Sequence, residues 1–216
     1  MTHETTFIHH FVPASGEGAS PRLLLLLHGT GGDENDLLDL GRELDGDAAL
    51  LSPRGRVLEQ GMPRYFRRIA PGRFDLEDLI LRAHELADFV EREATRRGFP
   101  SGRRLAVGLS NGANIAAAML LLRPAVLAGA VLLRPMVPLV PEKMPDLARV
   151  SALVMAGRRD PLVPAGESER LAALLRDAGA DVTLHWTDTG HALDPSEPPV
   201  IRAWLRDPER TGEANR

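Results

Sequence analysis

Cysteine is missing altogether from the 216 residues, and that single absence removes several chemistries at once. No disulfide framework can staple the fold, no thiolate can act as nucleophile, and no Cys-ligated metal site is available. The same absence fits a reducing compartment. Residues 1–12 carry acid and histidine where a secretory signal would have a basic stretch followed by an apolar one, so a cytoplasmic location is expected. Lysine is almost missing too: 25 of the 26 basic residues are arginine, Lys143 being the exception. The arginines are scattered in pairs such as Arg67-Arg68, Arg96-Arg97 and Arg103-Arg104 through a chain of net charge −4. A nucleic-acid footprint gathers its basic residues on one face of a basic domain, so no nucleic-acid partner is expected. Long apolar runs are lacking as well, since Leu23–Leu27 is the longest run of leucine and is far too short to cross a bilayer. His9 and His10 are neighbours and on a strand would face opposite sides, so they cannot share a metal.

What is present points to one well-buried core. Hydrophobic residues make up 44% of the chain, and the length suits a single domain over residues 1–206, with a polar tail at 207–216 and no room for a lid domain. Residues 5–12 read as an edge strand, turned back by a Gly- and Ser-containing stretch at 13–21 into a second strand at 22–27. That strand and those at 48–51, 105–107, 128–133 and 152–156 are apolar on both faces, the mark of strands covered by helices on each side, and a last strand follows at 182–186. Helical patterns fall between them at 34–44 with Asp33 as cap, and at 76–97 with Asp75 as cap and Gly98 as stop. Further helical patterns lie at 113–122, 166–178 and 196–206, and Met119 reads as helix core. The alternation predicts an α/β fold: a mostly parallel central sheet, helices on both faces, and an antiparallel N-terminal edge strand. Two long connections without a clear period, 53–74 and 134–149, follow the ends of parallel strands, where ligands bind in open α/β sheets.

Between the strand at 105–107 and the helix at 113–122 stands Gly108-Leu109-Ser110-Asn111-Gly112, a G-x-S-x-G. Composition alone would produce such a motif in roughly 7 of 100 chains like this one, so its setting decides. A strand feeding a helix through a turn this tight strains the central serine and points its hydroxyl outward, which makes Ser110 a candidate nucleophile. An acid and then a histidine should follow in the chain. Asp160, just past a strand end and followed by Pro161, is the candidate acid, with turn capping as its other use and Asp181, Asp188 and Asp194 as rivals. His191, in Thr189-Gly190-His191-Ala192 after the last strand, is the candidate base, with His28 and His185 as alternatives. Upstream, His28-Gly29-Thr30-Gly31-Gly32 links a strand to a helix, and the amides of Thr30 and Asn111 are assigned to an oxyanion hole. A phosphate loop is the competing use of this stretch, but neither G-x-x-x-x-G-K-[ST] nor a full G-x-G-x-x-G is present. Gly29, Gly31, Met62, Arg64, Phe66 and Met136 are assigned to substrate contacts, Arg64 being able to hold a carboxylate or phosphate through two parallel bonds. Loop packing is the competing use of these side chains.

These stretches, together with Gly61 to Arg68, Pro135-Met136-Val137-Pro138 and Asp160-Pro161-Leu162-Val163-Pro164, resemble the phospholipase/carboxylesterase branch of the α/β-hydrolases, close to its hydroquinone-pathway hydrolases. The resemblance runs almost end to end. It implies an α/β-hydrolase fold and a cofactor-free, metal-free serine esterase or thioesterase, forming a homodimer, with its triad on Ser110, Asp160 and His191. One departure is Arg134, where the family pattern has His before Pro-Met-Val-Pro, at what would be the rim of the pocket. A carboxylesterase for small esters is the leading expectation. An acyl-protein thioesterase or lysophospholipase-like hydrolase is the alternative within the same chemistry, and a non-catalytic small-molecule receptor on the same scaffold is the alternative outside it.

Overall fold

Five leucines in a row form one strand because both of its faces are covered. Described over residues 6–15 and 21–207 by a computed structural model, the chain opens with strands β1 (His9–Val12) and β2 (Leu23–Leu27). Helix α1 (Leu38–Leu44) and strand β3 (Ala49–Pro53) follow, then two small hairpins, β4 (Val57–Glu59) with β5 (Met62–Arg64) and β6 (Arg68–Ala70) with β7 (Arg73–Phe74). Next come helix α2 (Leu76–Arg96), strand β8 (Arg104–Leu109), helix α3 (Asn111–Leu122) and strands β9 (Gly129–Leu133) and β10 (Ser151–Gly157). Helix α4 (Ala165–Asp177), strand β11 (Asp181–Thr187) and helix α5 (Glu197–Leu205) complete the described chain.

The main sheet has the order β1-β3-β2-β8-β9-β10-β11, and every pairing is parallel except β1 with β3. Along β2, Leu23, Leu25 and Leu27 enter the core shared with α2, α3 and α4, while Leu24 and Leu26 enter the one shared with α1 and α5. Each leucine is at most 1% exposed, so the strand could not tolerate a polar residue at any register position. The α/β-hydrolase architecture expected from the sequence is the one observed. After β2 the chain moves to β3 on one side and then returns to β8 on the other, so the carboxyl ends of β2 and β8 diverge at a topological switch point. Both segments singled out for chemistry, 28–32 and 108–112, sit at that divergence.

Three local expectations differ from the structure. Helix α1 begins at Leu38 rather than at residue 34, and it has no side-chain cap, because Asp33 Oδ1 accepts the N–H and the Nδ2–H of Asn35 in a local turn. Residues 53–74, taken as irregular, contain the two short hairpins. Asn111 and Gly112 belong to α3, two residues before the expected start. Helix α2 keeps the expected cap, Asp75 accepting from the Asp78 N–H at 3.1 Å, and Gly98 follows its end at φ +80°. Thr5, residues 16–20 of the first turn and residues 208–216 of the expected tail lie outside the described residues.

Candidate active site

Ser110 is the lone residue between β8 and α3, and it is held at φ 54°, ψ −111°, a conformation costing about 1–3 kcal/mol for a residue with a Cβ. Two backbone bonds hold it there: its N–H donates to Leu133 O at 2.8 Å, and its carbonyl accepts from the Asn114 N–H at 2.9 Å. The flanking glycines are required by approach rather than by φ. A Cβ on residue 108 would lie 2.5 Å from the Gly112 carbonyl oxygen, and one on residue 112 would collide with the Leu27 carbonyl of the neighbouring strand.

Asp160 follows the end of β10 and is brought to His191, which follows β11. Its Oδ1 accepts the Leu162 and Val163 N–H groups at 2.7 and 3.1 Å, which leaves Oδ2 to accept from His191 Nδ1 at 2.8 Å. Because a carboxylate only accepts, the His191 proton sits on Nδ1 and Nε2 is an acceptor. The Ser110 hydroxyl donates to that Nε2 at 2.9 Å. Asp160's side chain is 1% exposed and His191's is 25% exposed, so the acid is sealed and the imidazole faces the cavity. The rival acids lie elsewhere: Asp181 is the exposed first residue of β11, Asp188 pairs with Arg158 on the surface, and Asp194 Oδ1 accepts from the Ser196 N–H and hydroxyl. His185 lies within β11, and His28 is buried and bonded on both ring nitrogens.

The loop that carries His191 is tied down by a residue the sequence marked only as a departure. Arg134 borders the cavity. It is buried under that loop, donating from Nε to Gly190 O at 2.8 Å and from Nη2 to Thr189 Oγ1 at 2.9 Å and Ala192 O at 3.2 Å. Its charge meets Glu197 Oε1 at 2.7 Å, and the two side chains are 1% and 0% exposed. Glu197, at the start of α5, also accepts from Thr187 Oγ1 and, through Oε2, from the Asp194 N–H. Sequence reasoning missed Glu197, since an acid in the first turn of a helix is an ordinary surface choice. Arg134 in place of His was the one available signal.

On the opposite wall, β5 and the residues after it brace the segment around Thr30. Gly31 N–H donates to Pro63 O at 2.9 Å, Arg64 Nη1 donates to Thr30 Oγ1 at 2.6 Å, and Tyr65 N–H donates to Asn111 Oδ1 at 2.8 Å. Tyr65's hydroxyl donates to Pro53 O and accepts the His28 N–H, so this buried ring also links the two segments. Among the described residues, the backbone N–H groups of Thr30 and Asn111 find no acceptor. His28 Nε2 accepts from the Gly55 N–H, so its proton is on Nδ1, donated to Gly29 O. Burial lowers its pKa below the ordinary imidazole value, partly offset by that bond to Gly29.

These walls enclose a cavity of about 700 Å³ with Ser110 and His191 on its surface. Gly29, Arg64 and Met136 line it, whereas Phe66 is fully buried in the core against Phe74, and Gly31 and Met62 lie outside the lining, Met62 being 38% exposed. Phe74, which the sequence reading did not single out, takes a place on the wall. Arg64 is itself only 3% exposed; burial and the nearby Arg68 guanidinium draw its pKa below the ordinary arginine value, with Glu59 opposing. Among the described residues, no cluster of three or more His, Asp or Glu is arranged to hold a metal ion. No helix among them is long and apolar enough to cross a membrane.

A seven-stranded, mostly parallel sheet with a strained serine between strand and helix at its switch point defines the α/β-hydrolase class. Comparison of the sequence with known families gives the narrower group. Over residues 9–206 the chain matches the phospholipase/carboxylesterase family, and it belongs to that family. MhqD of Bacillus subtilis (strain 168), which carries a provisional hydrolase name, is 49% identical over 191 residues, covering 88% of this chain and 96% of that one. The crystal structure of a Bacillus cereus carboxylesterase superposes with a TM-score of 0.86 at 46% identity, covering 90% of this chain and 91% of that one. A protein named YahD, solved with malic acid, superposes with a TM-score of 0.84 at 29% identity, covering 91% and 96%.

Proposed function

We propose that this protein is a serine carboxylesterase that hydrolyses small carboxylic esters through an acyl-enzyme on Ser110. The reading rests on one observation, an unbroken line of hydrogen bonds at 2.9 and 2.8 Å from Ser110 Oγ through the His191 ring to Asp160 Oδ2. As Ser110 Oγ attacks the ester carbonyl, His191 Nε2 takes its proton, and Asp160 stabilises the imidazolium so formed. The carbonyl oxygen becomes an oxyanion, and the unsatisfied N–H groups of Thr30 and Asn111 are aimed at it, each such donor typically contributing about 3 kcal/mol to the transition state. His191 then gives its proton to the leaving alcohol. A water molecule, deprotonated by the same nitrogen, attacks the acyl carbonyl, and collapse of that second intermediate returns the proton to Ser110 Oγ and frees the acid.

A cavity of about 700 Å³ suits a small molecule better than a long acyl chain, which favours the ester reading over the thioesterase one. The malic acid found with YahD, a small hydroxy acid, is of a size in keeping with it. The test is hydrolysis of matched short-chain aryl esters and long-chain acyl thioesters by the wild type and by Ser110→Ala. Turnover of the short esters that falls about 10⁴-fold or more in the variant is expected. A clear preference for the long thioesters would replace the substrate class, and undiminished turnover by Ser110→Ala would overturn the nucleophile.

A further inference from the structure

The same cavity has a charged end that ester hydrolysis alone does not require. Arg64 and Arg68 both line it, and among the described residues no carboxylate does. One acid behind the wall, Glu59, serves both. Its Oε1 accepts from Arg68 Nε at 2.8 Å and meets Arg68 Nη2 at 2.7 Å. Its Oε2 is 3.2 Å from Arg64 Nε, but that N–H is directed at Phe66 O, and the buried Oε2 is left without a hydrogen bond. Two guanidiniums therefore share one carboxylate, which is aligned on Arg68 and not on Arg64, and the group keeps a net charge of +1. Arg134, the third arginine on the wall, is matched by Glu197 and adds no such excess.

The donors are unevenly used. Arg64 spends Nε on Phe66 O and Nη1 on Thr30 Oγ1, and Arg68 spends Nε and Nη2 on Glu59, so no described residue accepts from Arg64 Nη2 or Arg68 Nη1. A partly buried cation with unfilled planar N–H groups is a receptor for a carboxylate, since charge-assisted bonds of this kind are the strong ones. The bond from Arg64 to Thr30 sets this charge beside the loop whose amide faces the reacting carbonyl. We infer that the cavity selects esters carrying a second, anionic group, a free carboxylate, which Arg64 and Arg68 bind while Ser110 attacks the ester bond. This inference rests on the esterase reading and names its substrate class.

The experiment compares two matched pairs of aryl esters. One pair places the carboxylate on the acyl side, as in a nitrophenyl hemiester of glutaric acid against the nitrophenyl ester of valeric acid. The other places it on the alcohol side, as in the acetyl ester of hydroxybenzoate against that of its methyl ester. The expected result is a preference of about tenfold or more in kcat/KM for the charged member of one pair, carried by KM. That preference shrinks toward parity in Arg68→Gln, is partly kept in Arg68→Lys, weakens with added salt, and grows in Glu59→Gln, where the neutralising carboxylate is gone. A merely structural role for the three residues would lower turnover of both members together and would not give opposite shifts in the two Gln variants. Equal kcat/KM for charged and neutral members of both pairs, with robust hydrolysis, would overturn the subsite and leave the esterase reading standing. Absence of hydrolysis of all four esters by a folded sample would overturn both.

Discussion

The two halves of the candidate relay are held in place by different physics. Ser110 is fixed by its own backbone: strand, helix and two glycines converge so closely that the chain has one way through, and the bonds that secure it are backbone to backbone. His191 stands on a loop with no such constraint, and side chains from elsewhere in the sequence secure it, Asp160 on its ring and the Arg134–Glu197 pair beneath its neighbours. The nucleophile side is therefore robust to most side-chain changes and intolerant of a single methyl group. For the base side the sensitivities are reversed.

The contrast yields predictions that can break it. Asp160→Asn should leave the fold intact and lower kcat by about 10⁴-fold, because the amide can present an N–H to Nδ1 and favour the wrong tautomer; a loss of only a few-fold would mean that Asp160 does not orient the ring. Gly112→Ala should unfold or severely destabilise the protein, beyond the ~1–3 kcal/mol usual for overpacking, because its neighbour is the Leu27 backbone and not a yielding side chain. A chemical denaturation midpoint close to the wild type's would refute the steric account.

Arg134→Met strands the Glu197 carboxylate in the interior and should cost about 3–5 kcal/mol of stability. The double variant Arg134→Met with Glu197→Met should regain most of that loss, yet its kcat should stay reduced, since the bonds to Thr189, Gly190 and Ala192 are gone. Full recovery of kcat with stability would reduce the pair to ordinary packing. The smallest effect concerns His28. Its pKa is lower folded than unfolded, so the unfolded chain binds the extra proton, and the contribution to stability is present above about pH 6.5 and is lost as pH falls toward the folded value. Denaturation midpoints measured across that window should fall with acid in the wild type and fall less in His28→Asn. Equal slopes would contradict a neutral, buried imidazole.

How far the sequence foretold this follows the same division. The strands of the main sheet were legible because runs such as Leu23–Leu27 and residues 152–156 of β10 are apolar at every position, and the elbow because its glycines act on immediate neighbours. Order along the chain brought Asp160 and His191 into the reading, although His191 lies 81 positions from Ser110. The hairpins after β3 were not legible, because strands of two or three residues are too short to show alternation. Neither was the late start of α1, because Asp33 satisfies Asn35 locally instead of capping a helix. Phe66 looked like a pocket residue beside Arg64 and Tyr65, and only packing against Phe74 decides that it is core. The Arg134–Glu197 pair is a contact between distant positions: Arg134 stood out only as a departure from the family pattern, and Glu197 did not stand out at all.

The central claim is that Ser110 is the nucleophile, and covalent trapping tests it most directly. A fluorophosphonate should give one adduct per chain, mapped by tandem mass spectrometry to Ser110, and it should give none in Ser110→Ala. An adduct at another residue, or ester hydrolysis that persists after Ser110 is fully modified, would contradict the account.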